Sequence, residues 1–209
     1  MKAISPETIA EVVAKLKKNG MEALYFSTAE EAKEEVLRRI PSGATVGAGG
    51  SVTLRQMGLL EALEERGHEV YDHWREGLTP EGRLEVGRKH PRSDVFITST
   101  NALTLDGKLI NVDATGNRIT SMIMGPEKVL VITGVNKIVK NLNQGLARLK
   151  KIAPLNCQRR KDPTPCVQDL TCHDCDTPAR ICRVTTIIER RPGAMKDFTV
   201  ILVGEELGY

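Results

Sequence analysis

The sequence predicts an α/β fold in which a central, largely parallel but mixed sheet lies between two layers of helices. Short apolar segments alternate with amphipathic segments along the chain, as expected for parallel strands joined by helical crossovers. The composition, with 40% hydrophobic and 27% charged residues, is that of a globular protein. No Ser/Gly-rich or Pro-rich linker divides the 209 residues, so we expect a single domain over 1–209.

The first half of the chain supplies helices and strands in turn. Ser5 followed by Pro6 is typical of a helix start, and Asn19-Gly20 is typical of a helix end, which predicts a helix over 6–18. The next strands are predicted at MEALYF, ATVGAG and HEVYD. Helices over 29–40 and 54–66 are predicted between them.

The second half contains more strands than helices. A charged helix is predicted over 80–89 and a second helix over 138–152. The predicted strands are DVFITST, KLINVD, KVLVIT, VTTIIE and FTVILV. The segment 157–183, between the last helix and the last two strands, is rich in cysteine and is predicted to be an irregular loop.

Charge and hydropathy exclude several classes of function. The 30 basic residues are dispersed among 27 acidic ones, and aromatic residues make up only 3%, so no nucleic-acid partner is expected. The N-terminus lacks the apolar run of a signal peptide, and no stretch approaches membrane-spanning length, so no membrane partner is expected either. We therefore expect a cytoplasmic protein, in which clustered cysteines serve metal or redox chemistry more often than disulfides.

The glycine-rich stretch GAGGSVTL follows a predicted strand and opens a predicted helix. Backbone N–H groups at such a junction, together with the helix dipole, can hold an anion. The predicted ligand-binding residues there are Gly49, Gly50, Ser51 and Thr53. The alternative is a turn whose glycines only allow the strand and helix to pack closely.

A second polar stretch, TSTNALTLDGKLINVDATGNR, interrupts strands that would otherwise be apolar. Its amide, carboxylate and guanidinium groups fall at strand ends, where open α/β sheets place their ligands. The predicted ligand-binding residues are Asn101, Asp106, Asn111, Asn117 and Arg118. Asp106 precedes Gly107 in a hairpin-turn dipeptide, so turn formation is the alternative for that residue.

Three charged residues are candidates for catalysis. Arg118 can bind a carboxylate or phosphate through two hydrogen bonds, and Asp113 can act as an acid or base or orient Arg118. Lys137 follows another predicted strand and is a candidate cation. The alternatives are a structural ion pair between Asp113 and Arg118, and an ordinary solvated lysine at position 137.

The cysteine-rich segment predicts a metal centre. Its four candidate ligands, in the pattern C-x5-C-x2-C-x6-C, are Cys166, Cys172, Cys175 and Cys182. Four thiolates suffice for zinc or for a [4Fe–4S] cluster, although the spacing matches neither a zinc ribbon nor a bacterial ferredoxin. His173 is a possible substitute ligand, and free or disulfide-linked thiols are the remaining alternative. Cys157 lies outside the pattern and is predicted to be a free thiol.

Five segments together resemble the LUD-domain (lactate utilisation) family. They are GAGGSVTL, TSTNALTLDGKLINVDATGNRITSMIMGP, VLVITGVNKIV, APLN and VILVGEELGY. The resemblance implies the fold of ribose-phosphate isomerases, glucosamine-phosphate deaminases and CoA transferases. It also implies a role in oxidation of lactate to pyruvate beside iron–sulfur redox partner proteins, which favours a [4Fe–4S] cluster over zinc. It assigns no catalytic residue.

Two other functions remain open at this point. The glycine-rich stretch would suit an enzyme acting on a sugar phosphate or a CoA ester, although no matching Glu nucleophile or isomerase acid pair is evident. A non-catalytic module that senses a small organic anion, or assembles in its presence, is the other alternative.

Overall fold

The computed structural model describes residues 4–209. The helices are α1 (Pro6–Lys18), α2 (Ala29–Arg39), α3 (Val52–Gln56), α4 (Leu59–Glu65), α5 (Pro80–Lys89), α6 (Asn117–Met124), α7 (Leu142–Arg160) and α8 (Cys166–Asp169). The strands are β1 (Glu22–Phe26), β2 (Val46–Ala48), β3 (Val70–Asp72), β4 (Val95–Thr98), β5 (Ala102–Thr104), β6 (Leu109–Asp113), β7 (Lys128–Gly134), β8 (Ile138–Val139), β9 (Val184–Ile188) and β10 (Asp197–Val203).

The first helices begin at the residues that the sequence indicates. Ser5 caps α1 by accepting a hydrogen bond from the Thr8 backbone N–H, and Pro6 occupies the first helical turn. Helix α2 begins with a capping box, in which Thr28 and Glu31 each satisfy the other's backbone N–H. These local signals explain why both starts were predictable.

Six strands form a wholly parallel sheet in the order β1-β10-β7-β4-β2-β3. Four strands form a second sheet in the order β8-β5-β6-β9, and its β5–β6 and β6–β9 pairs are antiparallel. The predicted α/β class with a largely parallel central sheet is confirmed. The antiparallel pairing expected of a mixed sheet occurs in the second sheet.

The two faces of the parallel sheet bury separate apolar cores. On one face, alternate residues of β4, β7 and β10 pack against α2, α3 and α4. On the other face, the intervening residues, among them Phe96 and Phe198, pack against α1, α6 and the second sheet. The far side of the second sheet packs on α7 through Ala102, Ile110 and Leu149. Because these strands are buried on both faces, their sequences are apolar throughout and do not alternate between apolar and polar residues.

Three element predictions were wrong in part. The helix predicted over 54–66 is divided into α3 and α4 at Gly58, whose φ of 60° is left-handed. The helix predicted over 138–152 starts later, after the short strand β8, and continues through Pro154 to Arg160. The irregular loop predicted over 157–183 begins with the last turn of α7 and contains α8. Helix α6 was missed altogether, because it starts in the polar stretch that was interpreted as strand and loop.

No helix between residues 4 and 209 combines the length and the apolar character needed to cross a bilayer.

Candidate functional site

The carboxyl ends of the six parallel strands lie at one edge of the main sheet. Strands β2 and β4 are neighbours there, and the chain leaves them toward opposite faces. After β2 it enters the core that contains Leu54, whereas after β4 it enters the core that contains Leu103. Such a divergence opens a crevice outside the strand ends, which is the usual ligand position in open α/β sheets.

A cavity of about 580 Å³ lies at this edge and is called the main cavity below. Its size is that of a small-molecule site. Its polar and aromatic lining residues are His73, Trp74, Arg83, Asn101, Asp113, Thr115, Asn117, Arg118, Asn156, Arg159, Arg160, Asp162 and Cys182. Gly50 of the glycine-rich stretch also lines it. The lining therefore contains four arginines and two aspartates.

Arg118 is held almost completely by protein acceptors. Its Nε donates to Asp113 Oδ1 at 2.9 Å, and its Nη2 donates to Asn101 Oδ1 at 2.7 Å. The carbonyl oxygens of Ser99 and Val112 accept further bonds at 3.2 and 3.0 Å. The Arg118 and Asp113 side chains are only 11% and 7% exposed. Arg118 therefore has little donor capacity left for a ligand.

Asp113 also supports the helix that carries Arg118. Its Oδ2 accepts a hydrogen bond from the Ile119 backbone N–H at 3.2 Å, in the first turn of α6. The N-cap of α6 is Gly116, which has no side chain to perform this function. The carboxylate thus replaces the missing cap and complements the positive end of the helix dipole.

Arg159 differs from Arg118 because its guanidinium makes no hydrogen bond or ion pair with any residue in 4–209. It lies over the Trp74 ring, with Cζ 3.7 Å from the ring centroid. Burial is the main cause of its lowered pKa; the charges of Tyr209 and Asp162 oppose this shift, and those of Arg160 and Arg55 add to it. Arg159 is exposed and forms no ion pair within the described residues, so its guanidinium can bind an anion that enters the cavity.

The remaining charges of the main cavity leave a cationic excess. Arg160 is paired with Asp162, with Nε 2.8 Å from Oδ2. Asp113 is paired with Arg118, so both carboxylates in the lining already have an ion-pair partner. Within the described residues, the Arg83 guanidinium on α5 has no ion pair either. The field inside the cavity therefore favours an anionic ligand.

The glycine-rich stretch is closely packed. A Cβ at Gly50 would come within 2.6 Å of the Trp74 indole nitrogen, and a Cβ at Gly49 within 2.6 Å of Thr98 Oγ1. Ser51 caps α3 by accepting a hydrogen bond from Leu54 N. These contacts account for the residue types at 49–51 without a ligand, and only Gly50 of the three lines the main cavity.

Thr53 and Lys137 form a buried group behind the glycine-rich stretch. Lys137 Nζ donates to Thr53 Oγ1 at 2.8 Å and to Ser99 Oγ at 2.9 Å, and the residue is 4% exposed. Burial, together with the charges of Arg148 and Arg118, lowers the pKa of Lys137 to about 7. No carboxylate within 4–209 forms an ion pair with this lysine.

The predicted Asn and Asp residues occupy different places. Asn101 and Asn117 line the main cavity. Asn111 is fully buried in the second sheet, with neither amide atom hydrogen-bonded within the described chain. Asp106 lies in the β5–β6 turn, where it accepts from Thr104 Oγ1 and is half-exposed, and it does not line the main cavity.

A second, smaller cavity is called the cysteine cavity below. All five cysteines line it, namely Cys157, Cys166, Cys172, Cys175 and Cys182, together with His173 and Asp174. Its volume is about 20 Å³, roughly that of one water. The thiols are free, and burial is the main cause of the raised pKa of Cys182. His173 is turned toward Asp169, with Nε2 3.0 Å from the carboxylate.

The positions of these thiols limit the metal centres that they can bind. Zn–S bonds of about 2.3 Å draw thiolates to within about 4 Å of one another. In the described part of the chain, no three Cys, His, Asp or Glu side chains are placed so that they could hold one metal ion. The thiols as placed therefore form no complete metal site, and a [4Fe–4S] cluster would require the cavity of about 20 Å³ to expand.

Sequence reasoning missed several residues of the main cavity. His73 and Trp74 follow β3, and the His73 ring lies 5.1 Å from that of buried His90. Burial lowers the pKa of both histidines, that of His90 to about 4. An aromatic and basic tripeptide, HWR, directly after a predicted strand was the available signal for His73 and Trp74. No sequence signal marked Arg159 as a residue of the site, because basic residues are common at helix ends.

Together, the parallel sheet and the arginine-lined cavity at its carboxyl edge define an α/β protein with a candidate anion-binding site. A sequence model of the LUD domain matches residues 9–203, and the chain belongs to this family. No protein of curated function matches the sequence significantly.

Among the solved structures similar to this one are a DUF162 family protein and a ribose 5-phosphate isomerase. A DUF162 family protein from Deinococcus radiodurans is 14% identical with a TM-score of 0.56, and the match covers 96% of this chain and 99% of that one. Ribose 5-phosphate isomerase from Plasmodium falciparum is 18% identical with a TM-score of 0.35, over 54% and 52% of the two chains. The first similarity supports the fold.

Proposed function

We propose that this chain is a cytoplasmic component of lactate oxidation to pyruvate, which binds a small organic anion in the main cavity beside a cysteine-ligated centre. The observation that carries the proposal is Arg159, an exposed guanidinium that lines a cavity with a cationic excess and has no ion pair within residues 4–209. Membership of the LUD-domain family supports the choice of a carboxylate such as lactate. The main cavity is larger than lactate requires, so larger anions belong in the same test.

The residues of the main cavity have separable tasks in this proposal. Arg159, fixed over Trp74, donates to the ligand carboxylate with its planar guanidinium. Arg118 holds Asn101 and Asp113 in position and leaves them at the cavity wall. His73, which burial keeps neutral near pH 7, can accept a hydrogen bond or a proton from the hydroxyl group of a bound hydroxy acid.

Changing Arg159 should weaken anion binding about 10- to 100-fold, because a hydrogen bond to a charged group contributes about 1.5–3 kcal/mol. The measurement is calorimetric titration with lactate, pyruvate, ribose 5-phosphate and coenzyme A. Arg159→Ala removes the cation, and Arg159→Lys keeps the charge but loses the planar fork and part of the stacking on Trp74.

Arg38→Ala is the charge-matched control, since Arg38 lies on α2 and pairs with Glu35 at the surface. It should bind with unchanged affinity. Equal affinity in the natural chain and Arg159→Ala would contradict the proposed site. Tight binding of ribose 5-phosphate or coenzyme A without lactate or pyruvate would favour an enzyme of the sugar-phosphate or CoA-ester class.

The cysteine cavity would hold the centre through Cys166, Cys172, Cys175 and Cys182. Such a centre, if it is a [4Fe–4S] cluster, supplies one-electron transfer and requires an iron–sulfur redox partner protein. Cys172 and Cys175 lie in a segment without helix or strand, which can move outward to admit a cluster. His173 and Asp174 are the neighbouring side chains that solvate the site.

Anaerobically reconstituted protein should contain about four iron and four sulfide per chain and absorb near 400 nm until it is reduced. Cys175→Ala should lose most of this iron, whereas Cys157→Ala should keep it. Metal analysis and absorption spectra check both expectations. Stoichiometric zinc would exclude the cluster but keep the site. Five freely titrating thiols in metal-free, folded protein would exclude any centre.

A further inference from the structure

The outer edge of β9 is unpaired. This strand ends the second sheet and pairs only with β6. No backbone hydrogen bond joins its other side to any segment within residues 4–209. A strand in this position presents a row of backbone N–H and C=O groups with which another strand can pair.

The other strands that end the two sheets are protected from such pairing, and β9 is not. Strands β3 and β8 contain three and two residues, and β1 begins with the charged Glu22. Strand β9 has five residues, VTTII, without a charge or a proline. Its Val184 and Ile187 side chains are 42% and 38% exposed. Because proteins normally protect a free edge with charges, prolines or short strands, this edge indicates a partner strand.

The charges that flank β9 are complementary to those of a second copy. A two-fold axis perpendicular to the sheet brings two copies of β9 together as antiparallel strands, with directly opposite residues on the same face. When the axis passes through Thr186, the middle residue of β9, Arg183 lies opposite Glu189 of the second copy. The symmetry repeats this pair at the other end of the strand, so the contact contains two pairs of opposite charges.

The same register aligns β-branched side chains between the charges. Val184 lies opposite Ile188, and Thr185 lies opposite Ile187. Such pairs stabilise antiparallel sheets. Moving the axis by one residue toward either end separates the opposite charges, so the sequence favours a single register.

Both flanking side chains retain capacity for this contact. Arg183 donates from Nε to the Arg180 carbonyl at 2.9 Å and from Nη2 to the Pro178 carbonyl. Three of the five guanidinium N–H groups are left for another acceptor. Glu189 Oε1 lies 3.1 Å from Lys108 Nζ, but the Glu189 side chain is 64% exposed and can accept further bonds.

We propose that the β9 edge is a dimer interface, at which two copies of this chain join their second sheets. The four strands of each copy then form one continuous sheet of eight strands. No residue of β9 lines the main cavity, so this interface does not depend on the proposed function.

Sedimentation velocity over a range of protein concentrations tests the proposal. The natural chain should show a monomer–dimer equilibrium. Arg183→Glu and Glu189→Arg should each raise the dimer dissociation constant about 10-fold or more, because both symmetry-related pairs become like-charged. The two changes combined in one chain restore opposite charges and should restore the dimer. Arg38→Glu, a charge reversal on α2, is the control and should leave the equilibrium unchanged.

Mixing the two single variants tests the register directly. Arg183→Glu and Glu189→Arg chains should form a heterodimer in which every flanking pair is again of opposite charge. Each variant keeps its own intramolecular changes in the mixture, so recovery of the dimer reports the contact between the two copies. Circular dichroism checks that both variants are folded.

Three results would overturn the proposal. The first is a natural chain that stays monomeric at every attainable concentration, which would leave the edge to a strand of another protein. The second is a dimer that neither single variant weakens, since its interface would lie elsewhere. The third is a loss of the dimer that neither the combined variant nor the mixture restores.

Discussion

Replacing Arg118 with methionine should lower the free energy of unfolding by about 3–5 kcal/mol, the usual effect of removing one partner of a buried ion pair. Asp113 would remain 7% exposed without its cation. Asn101 Oδ1 and the carbonyl oxygens of Ser99 and Val112 would also lose a donor. Urea denaturation at pH 7, followed by circular dichroism, measures the change.

Two further variants distinguish a role of Arg118 in stability from a role in ligand binding. Arg118→Lys keeps the charge beside Asp113 but cannot reach every acceptor, so its loss of stability should be smaller. Arg38→Met removes an exposed arginine and its pair with Glu35, and should change stability by less than about 1 kcal/mol. Full stability of Arg118→Met with a large loss of pyruvate affinity would show that Arg118 binds the ligand directly.

Arg118 illustrates what the sequence can and cannot predict. The polar stretch indicated that Asp113 and Arg118 belong to a strand-end site, and both line the main cavity. Whether the guanidinium faces a ligand or its own carboxylate depends on α6, which places Arg118 two residues after Gly116 and within reach of Asp113. A helix that starts without a capping side chain leaves no local signal, so this geometry was not predictable.

Pro154 explains why the last turns of α7 were not predicted. A proline inside a helix removes one hydrogen bond and usually ends the helix, so the prediction stopped at residue 152. In the structure α7 continues to Arg160, and its last turns carry Asn156 and Arg159 into the main cavity. Burial of Ile152, Ala153 and Cys157 holds these turns against the rest of the chain. Tertiary packing therefore overrides the local preference.

The glycine-rich stretch shows the opposite case, in which a motif has two physical explanations. Its position after β2 is that of an anion site, yet Trp74 occupies the space beside Gly50. The tryptophan comes from the loop after β3, and only the pairing of β2 with β3 brings it there. Glycines required for close packing and glycines required for ligand approach look alike in one sequence.

Replacing Lys137 with methionine should stabilise the fold by about 1–4 kcal/mol near pH 6.5, since a buried charge without a counter-ion is replaced by an apolar side chain of similar length. Below its folded pKa of about 7, the lysine is charged in both the folded and unfolded states, and the burial penalty acts in full. Between pH 7 and the ordinary value of 10.5, the folded state binds fewer protons than the unfolded state. Stability should therefore rise with pH in the natural chain.

The pH range and the control isolate this effect. Urea denaturation between pH 6.5 and 8 avoids most titration of His90, with a pKa of about 4, and of Cys157, with a pKa of about 11. The slope of stability against pH should be smaller in Lys137→Met and unchanged in Lys140→Met, which removes an exposed lysine three residues away. A methionine variant that is less stable than the natural chain at pH 6.5 would show that the bonds to Thr53 and Ser99 outweigh the burial penalty. A more stable variant would show that the burial penalty outweighs those two bonds and that the fold does not require Lys137.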